Sequence, residues 1–211
     1  EAISQGLTTK TYKRGEHIFQ SGDKADRLYI VVEGQMKIYR ILPDGREQVL
    51  YLYDEDDFVG AFNLMKRDRY RYNGQALKPS TIAMLSKEAF DEIALDNPPM
   101  LLKILEKSYE RIRWAEGMLD RLSGHTTEER VATLLLDLLR DYGTVRGKHI
   151  HLILPMNREE LGSYTGMTRE TLTRKLLDFQ KKGLIEMKGS REVTILDPER
   201  LRLLAKADKI L

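Results

Sequence analysis

From Thr11 to Leu85 the apolar residues come in short pieces separated by turn residues: Gly15, Ser21-Gly22-Asp23, Gly34, Pro43-Asp44-Gly45, Gly60 and Gly74. Pieces of that length, rich in β-branched and aromatic residues, predict strands, and many short strands between turns predict an all-β sandwich or roll. The clearest part is LYIVVEG followed by QMKIYRILPDGREQVLYLY. Met36, Ile38, Tyr39 and Ile41 read as one strand, Pro43-Asp44-Gly45 as its turn, and Val49, Tyr51 and Tyr53 as the returning strand.

After Asn97-Pro98-Pro99 the period changes. Leu101, Leu105, Ser108, Ile112, Ala115, Leu119 and Leu122 follow at alternating steps of four and three, which is a heptad seam. So narrow a stripe with charged flanks predicts a two-stranded homodimer contact; the plainer alternative is that the helix packs on its own β-domain. Ser123-Gly124 ends it, and Thr126 with Glu129 offers a capping box for the next helix, TTEERVATLLLDLLRDYG. HIHLIL then alternates as a strand up to Pro155. His149 and His151 lie two apart with no third ligand nearby, so no metal site is expected.

Composition adds mainly exclusions. With 41% apolar and 32% charged residues in 211, the chain reads as soluble and globular, long enough for two small domains. No apolar run approaches the roughly 18 residues of a membrane span, and no basic-then-apolar leader opens the chain, so a cytoplasmic protein is expected. There is no cysteine, which excludes disulfides, thiolate nucleophiles, and cysteine-held iron–sulfur or zinc centres. The net charge of +2 hides an uneven distribution: residues 1–98 hold 14 basic against 16 acidic side chains, and residues 125–211 hold 16 against 13. That C-terminal excess is small, so any case for nucleic acid rests on arrangement.

The arrangement is in NREELGSYTGMTRETLTRKLLDFQKKGLIEMKGSREVTIL. Asn157 with Glu160 predicts a capped short helix, Gly166 a tight turn, and Thr168 the cap of a second helix running to Lys182. Leu172, Leu176 and Phe179 form the buried face of that helix, which leaves Arg169, Glu170, Thr173 and Arg174 near its start, where a recognition helix meets base edges. Lys188, Gly189, Ser190 and Arg191 then make a basic hairpin tip, a wing suited to phosphate, with Arg158 and Thr168 as further phosphate contacts. The bland alternative is a solvated charged face.

Residues 157–196 resemble the DNA-binding domain of the bacterial cyclic-AMP receptor protein and fumarate–nitrate reduction regulator (CRP/FNR) superfamily. RGEHIFQSGDKADRLYIVVEGQMKIYR resembles the β-roll of the same superfamily, and the heptad helix falls where its members dimerise. The resemblance implies an α+β fold: a cyclic-nucleotide-binding-type β-roll sensor domain over 1–98, a dimerisation helix over 99–124, and a winged helix-turn-helix over 125–211. It implies a homodimeric regulator on double-stranded DNA that also contacts RNA polymerase. The family's Arg-Glu-x-x-x-Arg pattern lands on Arg169, Glu170 and Arg174, implying an inverted repeat with TGA-type half-site cores, with Thr173 bearing on the outer bases.

Cyclic-nucleotide binders in this superfamily carry Gly-Glu and Arg-Ser pairs in a phosphate cassette and a Thr-Ser pair for adenine. Here Gly60 is followed by Ala61, Arg71 by Tyr72, and Ala115-Glu116 stands at the adenine positions. The expectation is therefore a member closer to the fumarate–nitrate branch, controlled neither by cyclic AMP nor by an iron–sulfur cluster, with no cofactor. An unidentified small-molecule effector would meet Gly60, Arg71, Tyr72, Ala115 and Glu116. Two other readings stay open: a cyclic-nucleotide-responsive regulator with a divergent cassette, and a ligand-binding module whose winged helix contacts protein. No nucleophile–base set or phosphate loop points to an enzyme.

Overall fold

The computed structural model describes residues 6–66, 68–95, 97–124, 126–147 and 149–205, and the chain divides into two compact units, Glu1–Trp114 and Ala115–Leu211. In the first unit, strands β1 (Leu7–Tyr12), β2 (His17–Phe19), β3 (Arg27–Glu33), β4 (Met36–Ile41), β5 (Glu47–Tyr53) and β6 (Phe58–Val59) precede the short helix α1 (Ala61–Lys66). Strands β7 (Asn73–Ala76) and β8 (Ser80–Ser86), helix α2 (Lys87–Leu95) and the long helix α3 (Pro98–Gly124) come next. The strands form two four-stranded antiparallel sheets, in the orders β1-β8-β3-β6 and β2-β7-β4-β5. This is the roll that the short apolar pieces predict.

The β4–β5 hairpin forms around Gly45, with a bulge where Ile38 faces Tyr51 and Tyr39 faces Val49, so that Leu50 of β5 is the extra residue. A bulge leaves one strand a residue longer than its partner and re-aims the side chains beyond it. Ile38 and Tyr39 are both buried, and Ile41, at the end of the strand, is 54% exposed. Lys37 is buried on the same strand; its Nζ pairs with Glu47 at 2.7 Å and lies 4.8 Å from the Tyr39 ring centre.

Aromatic rings fill much of the space between the sheets. Phe19 and Tyr70 stack with ring centres 4.1 Å apart, and Tyr29 lies 5.1 Å from Phe19. Tyr70 is 1% exposed and donates its hydroxyl to the Arg27 carbonyl at 2.9 Å, which satisfies the one polar atom that burial would otherwise penalise. Burial pushes the Tyr29 phenol up to about 12 and the Tyr70 phenol higher still.

The second unit holds α4 (Thr127–Tyr142), strands β9 (Gly143–Arg146) and β10 (His149–Ile153), helices α5 (Arg158–Tyr164) and α6 (Arg169–Lys181), strands β11 (Ile185–Lys188) and β12 (Glu192–Ile195), and α7 (Pro198–Leu204). Its sheet runs β11-β12-β10-β9. The capping box expected at α4 is present: the Thr126 hydroxyl accepts from the Glu129 amide and the Glu129 carboxylate accepts from the Thr126 amide. Leu135, Leu152, Leu161, Leu172 and Phe179 close the core beneath these elements. His151, the candidate half of a histidine pair, has Nδ1 3.1 Å from the Thr194 hydroxyl oxygen. Among the described residues, no helix is long and apolar enough to cross a membrane.

The α5–α6 turn depends on a close approach. A Cβ built on Gly162 would stand 2.9 Å from the Met167 carbonyl oxygen and 3.2 Å from the Arg169 nitrogen, and the Gly162 carbonyl accepts from the Met167 amide at 2.8 Å. Gly162→Ala should therefore destabilise the second unit by about 1–3 kcal/mol, whereas Glu159→Ala, on the exposed side of the same helix, should change little; urea unfolding measures both. The buried tyrosines set a second expectation. Below pH 10 both states keep the Tyr29 proton, but between about 10 and 12 the unfolded chain ionises while the folded phenol does not. Stability should fall across that window, with the Tyr29 phenolate signal, read as the difference between wild type and Tyr29→Phe, appearing only near alkaline unfolding.

Candidate nucleic-acid interface and effector region

Asn157 caps α5 with its side chain on the Glu160 amide at 2.9 Å, and the Glu160 carboxylate returns to the Asn157 amide at 2.8 Å. Gly166, at φ +68°, turns the chain, and Thr168 caps α6 by accepting from the Thr171 amide at 3.2 Å. These local bonds satisfy amides that a helix start leaves free, so the start of α6 is held firmly. Leu172, Leu176 and Phe179 are buried on its inner face. Arg169, Glu170 and Arg174 are exposed and Thr173 is half-buried. All four line one surface groove of about 470 Å³, together with Leu177, Asp178 and Lys181. The four side chains expected to read bases are thus gathered on one face.

The wing is the β11–β12 hairpin, with Lys188, Gly189 and Ser190 exposed and Arg191 half-buried. It is tied to α6 by the Gln180 side-chain oxygen, which accepts from the Met187 amide at 3.2 Å. Arg158 stands differently from a free phosphate contact. Its Nη2 lies 3.3 Å from the Met187 sulfur, and its Nη1 is buried with no hydrogen-bond partner. Burial holds its guanidinium below the ordinary arginine value. The side chain braces the root of the wing from within. Thr168 is exposed, with its hydroxyl engaged in the cap.

In the first unit the basic stretch before β7 is sorted by burial. Lys66, Arg69 and Arg71 are exposed, while Tyr70 is inside and Tyr72 is half-buried with its hydroxyl on the Asn63 side-chain oxygen at 2.8 Å. Arg69 donates to the Gly22 carbonyl at 2.7 Å. Arg67 lies outside the described residues. Arg71 is thus exposed between two tyrosines whose hydroxyls are engaged elsewhere. Gly60 adopts φ +103°, and a Cβ there would meet the Arg27 carbonyl oxygen at 2.8 Å and the Tyr70 hydroxyl at 3.0 Å. Only glycine suits this tight approach to the aromatic core.

A residue that the sequence pattern did not single out stands at this place. Arg111 of α3 donates to the Phe58 carbonyl, and its guanidinium carbon lies 4.7 Å from the Tyr53 ring centre and 5.4 Å from that of Phe58. Tyr51 donates its hydroxyl to the Arg111 carbonyl at 3.2 Å. Lys107, one turn earlier, pairs with Asp57 at 3.0 Å, and Ile104 is buried. These residues form the face that α3 gives to the roll. On another face Leu102, Leu105, Tyr109 and Ile112 are each between 57% and 62% exposed. That apolar stripe shares Leu105 and Ile112 with the expected seam, whose Leu101 is also exposed, and adds Tyr109 beside Ser108, the hydroxyl of which turns back to the Ile104 carbonyl. Ala115 is half-buried and Glu116 exposed, and the side chains of Leu119 and Leu122 lie outside the described residues. The signal for Arg111 was a third position on the Ile104–Lys107 face, which becomes visible only once the roll defines that face.

Comparison with known proteins matches both units. The family profile described as a cyclic nucleotide-binding domain covers residues 9–97, and that described as a Crp-like helix-turn-helix domain covers residues 129–204. The chain is 32% identical over 205 residues to the transcriptional activator protein Anr of Pseudomonas protegens, covering 97% of this chain and 82% of that protein. It is 29% identical over 200 residues to the CRP-like cAMP-activated global transcriptional regulator of Mycobacterium tuberculosis, covering 95% and 89%. Among solved structures, FixK2 from Bradyrhizobium japonicum superposes with a TM-score of 0.83 at 27% identity, covering 96% of this chain and 98% of that one.

Proposed function

The chain belongs to the CRP/FNR family of DNA-binding transcription regulators, and we propose that it acts as a homodimer on an inverted repeat with TGA-type half-site cores. The observation that carries this reading is the face of α6 on which Arg169, Glu170, Thr173 and Arg174 line one groove at the capped start of the helix. Arg174 offers two donors to guanine O6 and N7, and Glu170 accepts from the N4 amino group of cytosine. Arg169 and Thr173 flank them, and Thr173 bears on the outer bases. Lys188 and Arg191 of the wing and Thr168 at the cap meet phosphate, and Arg158 supports them from below.

The dimer reading is supported by the exposed stripe of Leu102, Leu105, Tyr109 and Ile112 on α3. Four large apolar side chains in a helical row call for cover, and an identical helix provides it with the same spacing. Two-fold pairing then sets the recognition helices about 34 Å apart, one turn of DNA. By the family resemblance, the bound dimer also contacts RNA polymerase.

Control by cyclic AMP is disfavoured by what stands at the cassette. Ala61, buried at 2% exposure, offers no carboxylate for a ribose hydroxyl, and Tyr72 commits its own hydroxyl to Asn63. Arg111 already supplies a cation against Tyr53 and Phe58. The regulator reads as competent without cyclic nucleotide, and any effector would be of another class. The M. tuberculosis relative is cAMP-activated, so the reading rests on these residues of this chain and not on the shared fold.

Arg174→Ala should weaken binding to a TGA-type inverted repeat and remove about 1–3 kcal/mol of discrimination at the guanine, read by fluorescence anisotropy against single-base variants. Wild-type affinity should fall steeply as salt rises; binding that ignores salt would point to a winged helix used for protein contact instead. Titrating cyclic AMP should leave the melting temperature unchanged, whereas a saturable rise would restore the cyclic-nucleotide reading.

A further inference from the structure

We infer that Leu177 is a further base-facing residue of the recognition helix and reads the 5-methyl group of a thymine lying outside the pairs addressed by Glu170 and Arg174. This rests on the reading of α6 as the helix that enters the major groove. On α6 the core takes Leu172, Leu176 and Phe179. Glu170, Arg174, Leu177 and Lys181 succeed one another at steps of four, three and four, along the opposite side, and all are exposed. Leu177 is 45% exposed and lines the same groove as Arg169, Glu170, Thr173 and Arg174.

A lone surface leucine usually needs no account. This one lies within the row of side chains that meets DNA, where every other groove-lining residue is polar or charged. Glu170, Thr173, Arg174 and Leu177 stand at i, i+3, i+4 and i+7. That spacing keeps four side chains on one side of a helix over two turns, the side a major groove faces. Of the marks that base pairs present in that groove, the thymine methyl is the apolar one, so it is the partner a leucine fits. Burying Leu177 against a charged phosphate or a polar base edge would remove hydration and return nothing. Seven residues at 1.5 Å each advance about 10 Å along the helix. The thymine should therefore lie within a few base pairs of the pair that Glu170 addresses.

The test uses the full chain and a pool of inverted repeats with fixed TGA-type cores and randomised flanking and central bases. The wild type should enrich thymine at one fixed position in each half-site, and Leu177→Ala should enrich none there. Replacing that thymine by deoxyuridine, which lacks only the methyl, should weaken the wild type about three- to fivefold, the factor for one buried methyl group, and should leave Leu177→Ala unaffected. Leu177→Met should keep the methyl dependence and Leu177→Gln should lose it, so a folding defect in any one variant does not decide the matter. A wild type that binds the repeat but ignores deoxyuridine at every position overturns the role of Leu177 alone, as does an alanine variant that keeps the methyl dependence. A wild type that selects no repeat overturns the recognition-helix reading and this inference with it.

Discussion

A helix packed on a sheet must divide its circumference, and much of this protein depends on how α3 does so. Ile104, Lys107 and Arg111 go to the roll, where they meet apolar core, the Asp57 carboxylate, and the Phe58 carbonyl with its aromatic neighbours. Those contacts set the rotation of the helix about its own axis. Once that rotation is set, Leu102, Leu105, Tyr109 and Ile112 cannot also face the roll, and they remain exposed as one stripe. The same constraint explains why the stripe takes in Tyr109 beside Ser108. The serine lies nearer the roll side, with its hydroxyl on the Ile104 carbonyl, and the tyrosine takes the outer place.

The loop between β6 and β7 shows the same division at smaller scale. A run of four basic residues with two interleaved tyrosines looks uniform in sequence, yet burial separates it. Tyr70 enters the core and gives its hydroxyl to Arg27, Tyr72 reaches Asn63, and Arg71 stays outside. A phenol tolerates this because its ring is apolar and its one polar atom finds a single acceptor; a guanidinium has five donors and would leave several unsatisfied. Arg111 is the exception that illustrates the rule, since its charge faces aromatic rings and a carbonyl rather than hydrocarbon alone. In this chain the polar groups of Tyr70, Tyr72 and Arg111 already have partners.

In the second unit the constraint is distance. Gly162 lets α5 approach the turn before α6, and the caps at Asn157 and Thr168 fix where each helix begins. With three leucine and phenylalanine side chains held inward, the outer face of α6 has little rotational freedom, and its polar residues stay where a groove can meet them. The wing hangs from the same helix through Gln180 and is braced by Arg158, so the two surfaces proposed to meet DNA share one support.

Sequence alone determined the succession of roll, long helix and helix-turn-helix with its hairpin, the two capping boxes, the turn at Gly166, the β4–β5 hairpin and the four residues on the outer face of α6. Each of these is written within a few positions, as a periodicity or a cap-to-amide spacing, and needs no distant partner to be recognised. Tertiary structure alone decided which side of α3 faces the roll, that Lys37 and Arg111 are held inside, and that Ile41 is left exposed at the end of β4. It also drew Arg158 beneath the wing and left Leu177 uncovered. Those outcomes depend on residues tens of positions apart competing for the same volume, and on whether a charged group finds its acceptor there. No local pattern carries that information, because burial belongs to the packed surface and not to the segment.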